Sequence, residues 1–310
     1  MPAVFGLYIC GMAPDAASPE LACVVLAHND PQQVHRLIEA LDPFPILLHV
    51  DARASDEMFA AITAGLPPRV GVLERRRTAW ATWGAVEAEI EGYRAALARP
   101  GITHIALISG ADYPITSIAE IRSLLQDHRD DSFVVSAKLP YSQWGRTGGF
   151  DRLRYRHWAL GKRMLRIPIP RRLPRDVVFA GGSSSKILSV EHARAVVDAH
   201  DEHPELVRFW RRTWSSDETF VDSILNTPRF TPGWEGHHIN AHLWWIDWAG
   251  PRKKSPPWIE TDVLDRILRR RFDDDQEFAH IFARKFSTAA STPVLDRLDA
   301  EYGLRAAARA

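Results

Sequence analysis

The chain has 310 residues, 39 basic and 39 acidic, for a net charge of zero. That neutrality argues against a broad electrostatic footprint for nucleic acid or an anionic membrane, so any anion site must be local. Two cysteines, Cys10 and Cys23, exclude a disulfide framework and a cysteine zinc site, and fit a reducing compartment.

The only apolar N-terminal stretch, Val4 to Met12, lacks a basic flank and is far shorter than the ~20 residues of a spanning helix. The run Leu21 to Ala27 reads as a buried strand, followed by His28-Asn29-Asp30-Pro31, a turn that caps a helix from Gln32 to Leu41. Pro45 to Val50 is a second strand, and Asp51 to Ser55 leads into a helix from Glu57 to Ala64. A third strand spans Arg69 to Leu73, a helix Gly84 to Ala98, and a fourth strand Thr103 to Ser109. The loop Gly110 to Pro114 then precedes a helix from Ser117 to Gln126. Continuous apolar strands alternating with helices imply an α/β fold with a parallel sheet covered on both faces. Ligands then bind beyond the strands' carboxyl ends, which puts His28, Asp51, Arg53 and Asp112 on one rim.

From Lys138 to Arg175 the pattern turns irregular and rich in Arg, Trp, Tyr and Gly, as in a long functional loop. Beyond it the sequence predicts helices at 190–199, 205–214, 216–225 and 261–270, strands at 177–180 and 242–248, and a helical tail from Pro293 to about Ala308.

The turn after the first strand, Ala27-His28-Asn29-Asp30, carries no glycine fingerprint for a dinucleotide, and no P-loop occurs. Two distant segments carry the chemistry. Ser215-Ser216-Asp217-Glu218-Thr219-Phe220 offers carboxylates at the opening of a helix: a general base on a rigid element, or simply a cap. Phe282-Ala283-Arg284-Lys285-Phe286 offers two cations between rings that would bury the backbone and aim the charges inward, although solvated surface charge is the plainer reading. A base and an anion clamp together suit sugar transfer from a nucleotide diphosphate. Asp273-Asp274-Asp275 reads as a helix start rather than a metal site. Among the 11 tryptophans, Trp80, Trp83, Trp244, Trp245 and Trp248 are core or sugar-stacking candidates.

The order Val25-Leu26-Ala27-His28, Leu48-His49-Val50-Asp51, Thr82-Trp83-Gly84 and Leu107-Ile108-Ser109-Gly110-Ala111-Asp112-Tyr113-Pro114-Ile115 resembles the core-2/I-branching N-acetylglucosaminyltransferase and peptide O-xylosyltransferase family. The likeness continues through Gly182-Ser183, Leu188-Ser189, Asp217-Glu218-Thr219-Phe220, Ile246-Asp247-Trp248 and Phe282 to Phe286, covering residues 21–287. It implies a GT-A-like fold and a metal-independent, inverting transfer of a GlcNAc- or xylose-type sugar from a UDP-sugar to an acceptor hydroxyl, giving a β-glycoside. By the same likeness Glu218 is the base, Arg284 and Lys285 bind the diphosphate, Asp51 contacts the nucleoside, and Trp83 and Asp112 lie near the donor sugar. His28 and Arg53 join the donor site; Ser184 and Asp217 fall to the acceptor.

Two departures stand out. Relatives carry a diphosphate-binding Arg where this chain has Trp244, which makes Arg252, Lys253 or Lys254 the candidates to supply that charge. Relatives also place a polar residue and an aromatic after Gly-Ser, where this chain has Ser184, Ser185 and Lys186. The expected organisation is an N-terminal extension over 1–20, one GT-A-like domain over 21–290 with a nucleotide-binding half at 21–136 and an acceptor half at 137–290, and a helical tail over 291–310. Without the anchor, stem and disulfides of Golgi members, the expectation is a cytoplasmic enzyme acting on a glycan precursor or small molecule, with no cofactor, metal or nucleic acid. A nucleotide-sugar or glycan-binding protein and a nucleotide-sugar hydrolase are the alternatives.

Overall fold

A computed structural model describes residues 20–79, 81–160, 163–248, 255–273 and 275–305. Trp80, Asp274, the Val4 to Met12 stretch and Arg252, Lys253 and Lys254 lie outside the described residues.

The first half alternates as expected: β1 (Glu20–Ala27), α1 (Pro31–Ala40), β2 (Ile46–Val50), α2 (Asp56–Thr63), β3 (Val70–Val72), α3 (Trp83–Leu97), β4 (Ile102–Ser109), β5 (Asp112–Pro114) and α4 (Ile118–Asp127). There follow β6 (Ser132–Phe133), β7 (Ser136–Lys138), α5 (Phe150–Arg154), β8 (Arg156–Leu160), β9 (Arg163–Ile167), β10 (Ala180–Gly182), β11 (Lys186–Ser189), α6 (Val190–Glu202), α7 (Pro204–Trp210) and α8 (Phe220–Leu225). The chain continues through β12 (His238–Ile239), β13 (Trp244–Ile246), α9 (Leu264–Leu268), β14 (Phe282–Arg284) and α10 (Thr288–Tyr302).

Seven strands form the central sheet in the order β12-β6-β11-β4-β1-β2-β3. It is mostly parallel; β11 runs antiparallel to both neighbours. Strand pleating divides the core between the faces. Leu21, Cys23 and Val25 of β1 join one cluster with α1, β13, β14 and α10, whereas Ala22 and Val24 join the other with α3, α6 and α8. Asp30 caps α1 by accepting from Gln33 N at 3.2 Å, and its carboxylate also takes Thr288 N (2.8 Å) and Thr288 Oγ1 (2.6 Å). One aspartate thereby ties the start of α1 to the start of α10.

Several expected elements differ. Asp112 to Pro114 is a strand rather than loop, because β14 pairs with it. The segment 138–175 contains α5 and the β8–β9 hairpin. Ser216 to Glu218 forms a 3₁₀ turn, and the α-helix starts only at Phe220; neither Ser215 nor Ser216 caps it, and Ser215 has φ 52°. Asp273 and Asp275 sit in bends and turns, not at a helix start.

Candidate active site

The parallel strands β1, β2 and β4 end together, tied by Asp51 N to Ala27 O and Gly110 N to Leu26 O, both 2.9 Å. Lys186, the first residue of β11, pairs antiparallel with Leu107 near the end of β4. The Ser183 to Ser185 turn before it therefore meets the same rim as His28, Asp51 and Asp112. Ser184 is exposed there, and Ser183 Oγ lies 3.3 Å from His242 Nε2.

Asp51 is 1 % exposed and fully engaged. It accepts from Arg53 N (2.8 Å), Arg53 Nη2 (2.6 Å), Arg53 Nε (3.0 Å) and Thr78 Oγ1 (2.8 Å). Burial pulls this carboxyl upward, but the bonds from Arg53 and Thr78 outweigh it and hold the group well below the usual carboxylate range. His28 is exposed and responds electrostatically to Asp51, Arg53, Arg284 and Lys285; desolvation and the three cations lower its pKa. These five side chains, drawn from both ends of the sequence, make up one local field.

The clamp segment is built from β14. Phe282 and Phe286 are buried as expected, and β14 lies between β13 and β5 with Arg284 opposite Ile246 on one side and Asp112 on the other. Asp112 is fully buried. Its Oδ1 accepts from Arg284 Nη1 at 2.7 Å, and its Oδ2 accepts from Ser109 N and Trp244 Nε1, each at 3.0 Å. Trp244 therefore supplies no cation of its own; it helps fix the carboxylate that holds Arg284. Lys285 Nζ sits 4.0 Å from the centroid of the Trp258 ring, and the Arg284-Lys285 peptide is cis. Desolvation and then Arg284 lower the Lys285 pKa.

Glu218 occupies a second part of the site. Its Oε2 accepts from Arg152 Nη1 of α5, a bond the sequence reading did not anticipate. The Arg152 guanidinium stacks 3.8 Å from the Trp144 ring centroid and 5.3 Å from that of Trp214. A cation held between two indoles and paired with a carboxylate orients Glu218 firmly. A Cβ on Gly181 of β10 would fall 2.3 Å from Trp144 and 2.8 Å from the Glu218 carbonyl, so only glycine lets β10 pass between them.

Asp217 faces inward, with Oδ1 buried and, among the described residues, without a hydrogen-bond partner. Burial and then the Glu218 charge push it up to about 7. Behind it lies a buried set of charges. Lys186 (0 % exposed) pairs with Glu89 (1 %) at 3.3 Å, and Glu89 also accepts from Tyr93 OH at 2.6 Å. Asp222 is 0 % exposed, and burial, partly offset by Lys186 and then by a hydrogen bond from Ser136, pushes it up to about 6. Burial opposes the charge on Lys186, yet Glu89, Asp222 and Asp217 outweigh that and raise its pKa.

Trp83, expected near the donor sugar, is 7 % exposed, edge-on to Phe220 at 5.1 Å and stacked with His200 at 6.1 Å; its indole N–H donates to Glu87 at 2.8 Å. Through Phe220 it touches the helix that follows Glu218. Sequence reasoning missed Arg152, His242, Trp258, Glu89 and Asp222. A signal existed for two of them: Glu89 breaks the apolar face of an Ala-rich helix, and Asp222 stands four residues after Glu218. Among the described residues no three His, Cys, Asp or Glu cluster so as to hold a metal ion, and no helix is long and apolar enough to cross a membrane.

In sequence comparison, the model of the core-2/I-branching enzyme family matches residues 26–267. A comparison with curated proteins finds no match.

Proposed function

The chain belongs to the core-2/I-branching enzyme family of glycosyltransferases, and from that premise we propose that it is a GT-A-like, inverting enzyme that moves a GlcNAc- or xylose-type sugar from a UDP-sugar to an acceptor hydroxyl without a metal. Two observations carry the reading: at the sheet's carboxyl rim Asp112 holds Arg284 with Lys285 next to it in the chain, and in the turn before α8 Arg152 fixes the Glu218 carboxylate.

In this mechanism the acceptor hydroxyl gives its proton to Glu218 Oε1, which accepts no hydrogen bond from a described residue. The acceptor oxygen attacks the anomeric carbon from the face opposite the leaving group, and the bond from that carbon to the diphosphate oxygen breaks. Both electrons of that bond leave with UDP, whose negative charge is met by Lys285 and Arg284. Arg53, oriented by the buried Asp51, receives the nucleoside, while Ser184 and the neighbouring His242 line the approach of the acceptor and Asp217 stands next to Glu218 with its carboxyl turned inward. Lys285 can leave the Trp258 face for a phosphate oxygen, since a charge-assisted hydrogen bond is stronger than an exposed cation–π contact.

The test is transfer from UDP-GlcNAc and UDP-xylose to a panel of acceptors, with the product's anomeric configuration read by NMR and EDTA present in parallel. A β-linked product that forms in EDTA is the expected result. UDP release that no acceptor accelerates would make the protein a nucleotide-sugar hydrolase. UDP-sugar binding without turnover would make it a binding protein.

A further inference from the structure

The neutral net charge of the chain conceals one extreme segment. Nine of the 24 residues from Arg152 to Arg175 are Lys or Arg, and none is Asp or Glu. The structure folds its centre into the β8–β9 hairpin, a two-stranded sheet separate from the central one. His157 is 6 % exposed, its backbone N–H donates to Arg212 O at 2.9 Å and its ring lies 6.1 Å from Trp214; the hairpin face that carries it therefore points into the protein.

Alternation then puts Arg156 and Trp158 on the opposite, outward face, and the antiparallel register places Ile167 across from Arg156 and Leu165 across from Trp158. Leu165 is 56 % exposed, and Ile169, just past the strand, is 70 % exposed. Beside this face runs a groove of about 490 Å³, walled by Arg156, Trp158, Arg172, Arg208 and Arg212 and by one acid, Glu205, which is paired with His203 at 3.0 Å. Among the described residues no carboxylate pairs with Arg156, Arg172, Arg208 or Arg212 within 4.0 Å. Arg212 instead lies 5.0 Å from the Trp158 ring centroid.

We propose that the outward face of the β8–β9 hairpin, with Arg208 of α7 and Arg212 just past its end, docks the protein on an anionic lipid bilayer. Unpaired guanidiniums suit lipid phosphates, and each basic side chain near such a surface adds to the attraction. An indole between aliphatic and cationic groups suits the headgroup boundary. The exposed Leu165 and Ile169 decide between partners, because a bilayer can take up aliphatic side chains and a nucleic-acid backbone offers them nothing. The charge on this patch is local, so it is compatible with a neutral chain. The proposal does not depend on the sugar-transfer reading.

The experiment is co-sedimentation with phosphatidylcholine vesicles, with and without phosphatidylglycerol, using the full chain. Wild type is expected to bind only the anionic vesicles, and to be released as salt rises. Leu165→Ser/Ile169→Ser is expected to weaken binding about ten-fold or more, and Arg156→Ser/Arg172→Ser about twenty-five-fold, at about five-fold per arginine. Their thermal unfolding and UDP binding should match wild type. Two results would overturn the proposal: no wild-type binding to anionic vesicles, or binding that survives Leu165→Ser/Ile169→Ser and is displaced by poly(U) RNA, which would assign the surface to nucleic acid.

Discussion

Trp244 and Arg284 share one acceptor: the indole N–H donates to Asp112 Oδ2 at 3.0 Å and the guanidinium to Asp112 Oδ1 at 2.7 Å. Trp244 thus acts on the Arg284 cation through a buried carboxylate. Trp244→Phe keeps the ring on Phe282, stacked at 5.0 Å, but leaves Asp112 Oδ2 with only the Ser109 amide. A lost hydrogen bond to a charged group costs roughly 1.5–3 kcal/mol. We expect a lower Tm and a several-fold weaker UDP complex in calorimetric titration. Unchanged UDP affinity would separate Trp244 from the clamp.

Glu218→Gln preserves shape and removes basicity. Turnover should fall by roughly 10²–10⁴-fold, with UDP binding nearly intact, as for a general base. Arg152→Met should also lower turnover, by freeing Glu218 to adopt other rotamers, and should do so without changing UDP affinity. Steady-state kinetics alongside calorimetry distinguishes these outcomes. Wild-type turnover in Glu218→Gln would reduce that residue to a structural acid in a 3₁₀ turn.

The two clamp cations should fail differently. Among the described residues the Lys285 ammonium packs on the Trp258 face and forms no ion pair, so Lys285→Ala should weaken UDP binding by roughly 1.5–3 kcal/mol and leave Tm unchanged. Arg284→Ala also strands a fully buried Asp112, so it should lower both UDP affinity and Tm. Activity of the wild type should persist in EDTA, because the cations take the electrostatic role a metal would supply. Loss on chelation with recovery on adding Mn²⁺ would reassign that role.

Local pattern made the first half of the fold legible. Strand runs such as Cys23 to Ala27 and Ile105 to Ile108 are apolar on both faces, and caps such as Asp30 and Ser117 mark helix starts. The rim holding His28, Asp51 and Asp112 followed from the parallel order. Less visible was whatever depends on distant pairing. Asp112 to Pro114 is a strand only because β14 adds to it, and the Glu218 partner comes from 66 residues upstream. Nor could spacing show that Lys186 is fully buried, since its counter-charges come from α3 and α8.

That buried set makes the pH dependence of stability predictable. Asp222 and Asp217 hold their protons up to about 6 and about 7 in the folded protein, against an ordinary 3.8. Between about pH 4 and pH 7 the folded state therefore binds more protons than the unfolded one, so stability should fall as pH rises through that window. Asp222→Asn removes one of three acids facing a single lysine; it should raise Tm at pH 8 relative to wild type and flatten the slope, with little effect at pH 4. Lys186→Met should act in the opposite sense, leaving Glu89, Asp217 and Asp222 without their cation, at a cost of roughly 3–5 kcal/mol at pH 8. The loss should shrink toward pH 5, where Asp217 and Asp222 are neutral. Thermal unfolding of the three proteins from pH 4 to pH 8 checks this. Parallel curves for wild type and Asp222→Asn would mean that Asp222 is ionised in the fold and that Lys186 compensates more charge than its one contact at 3.3 Å implies.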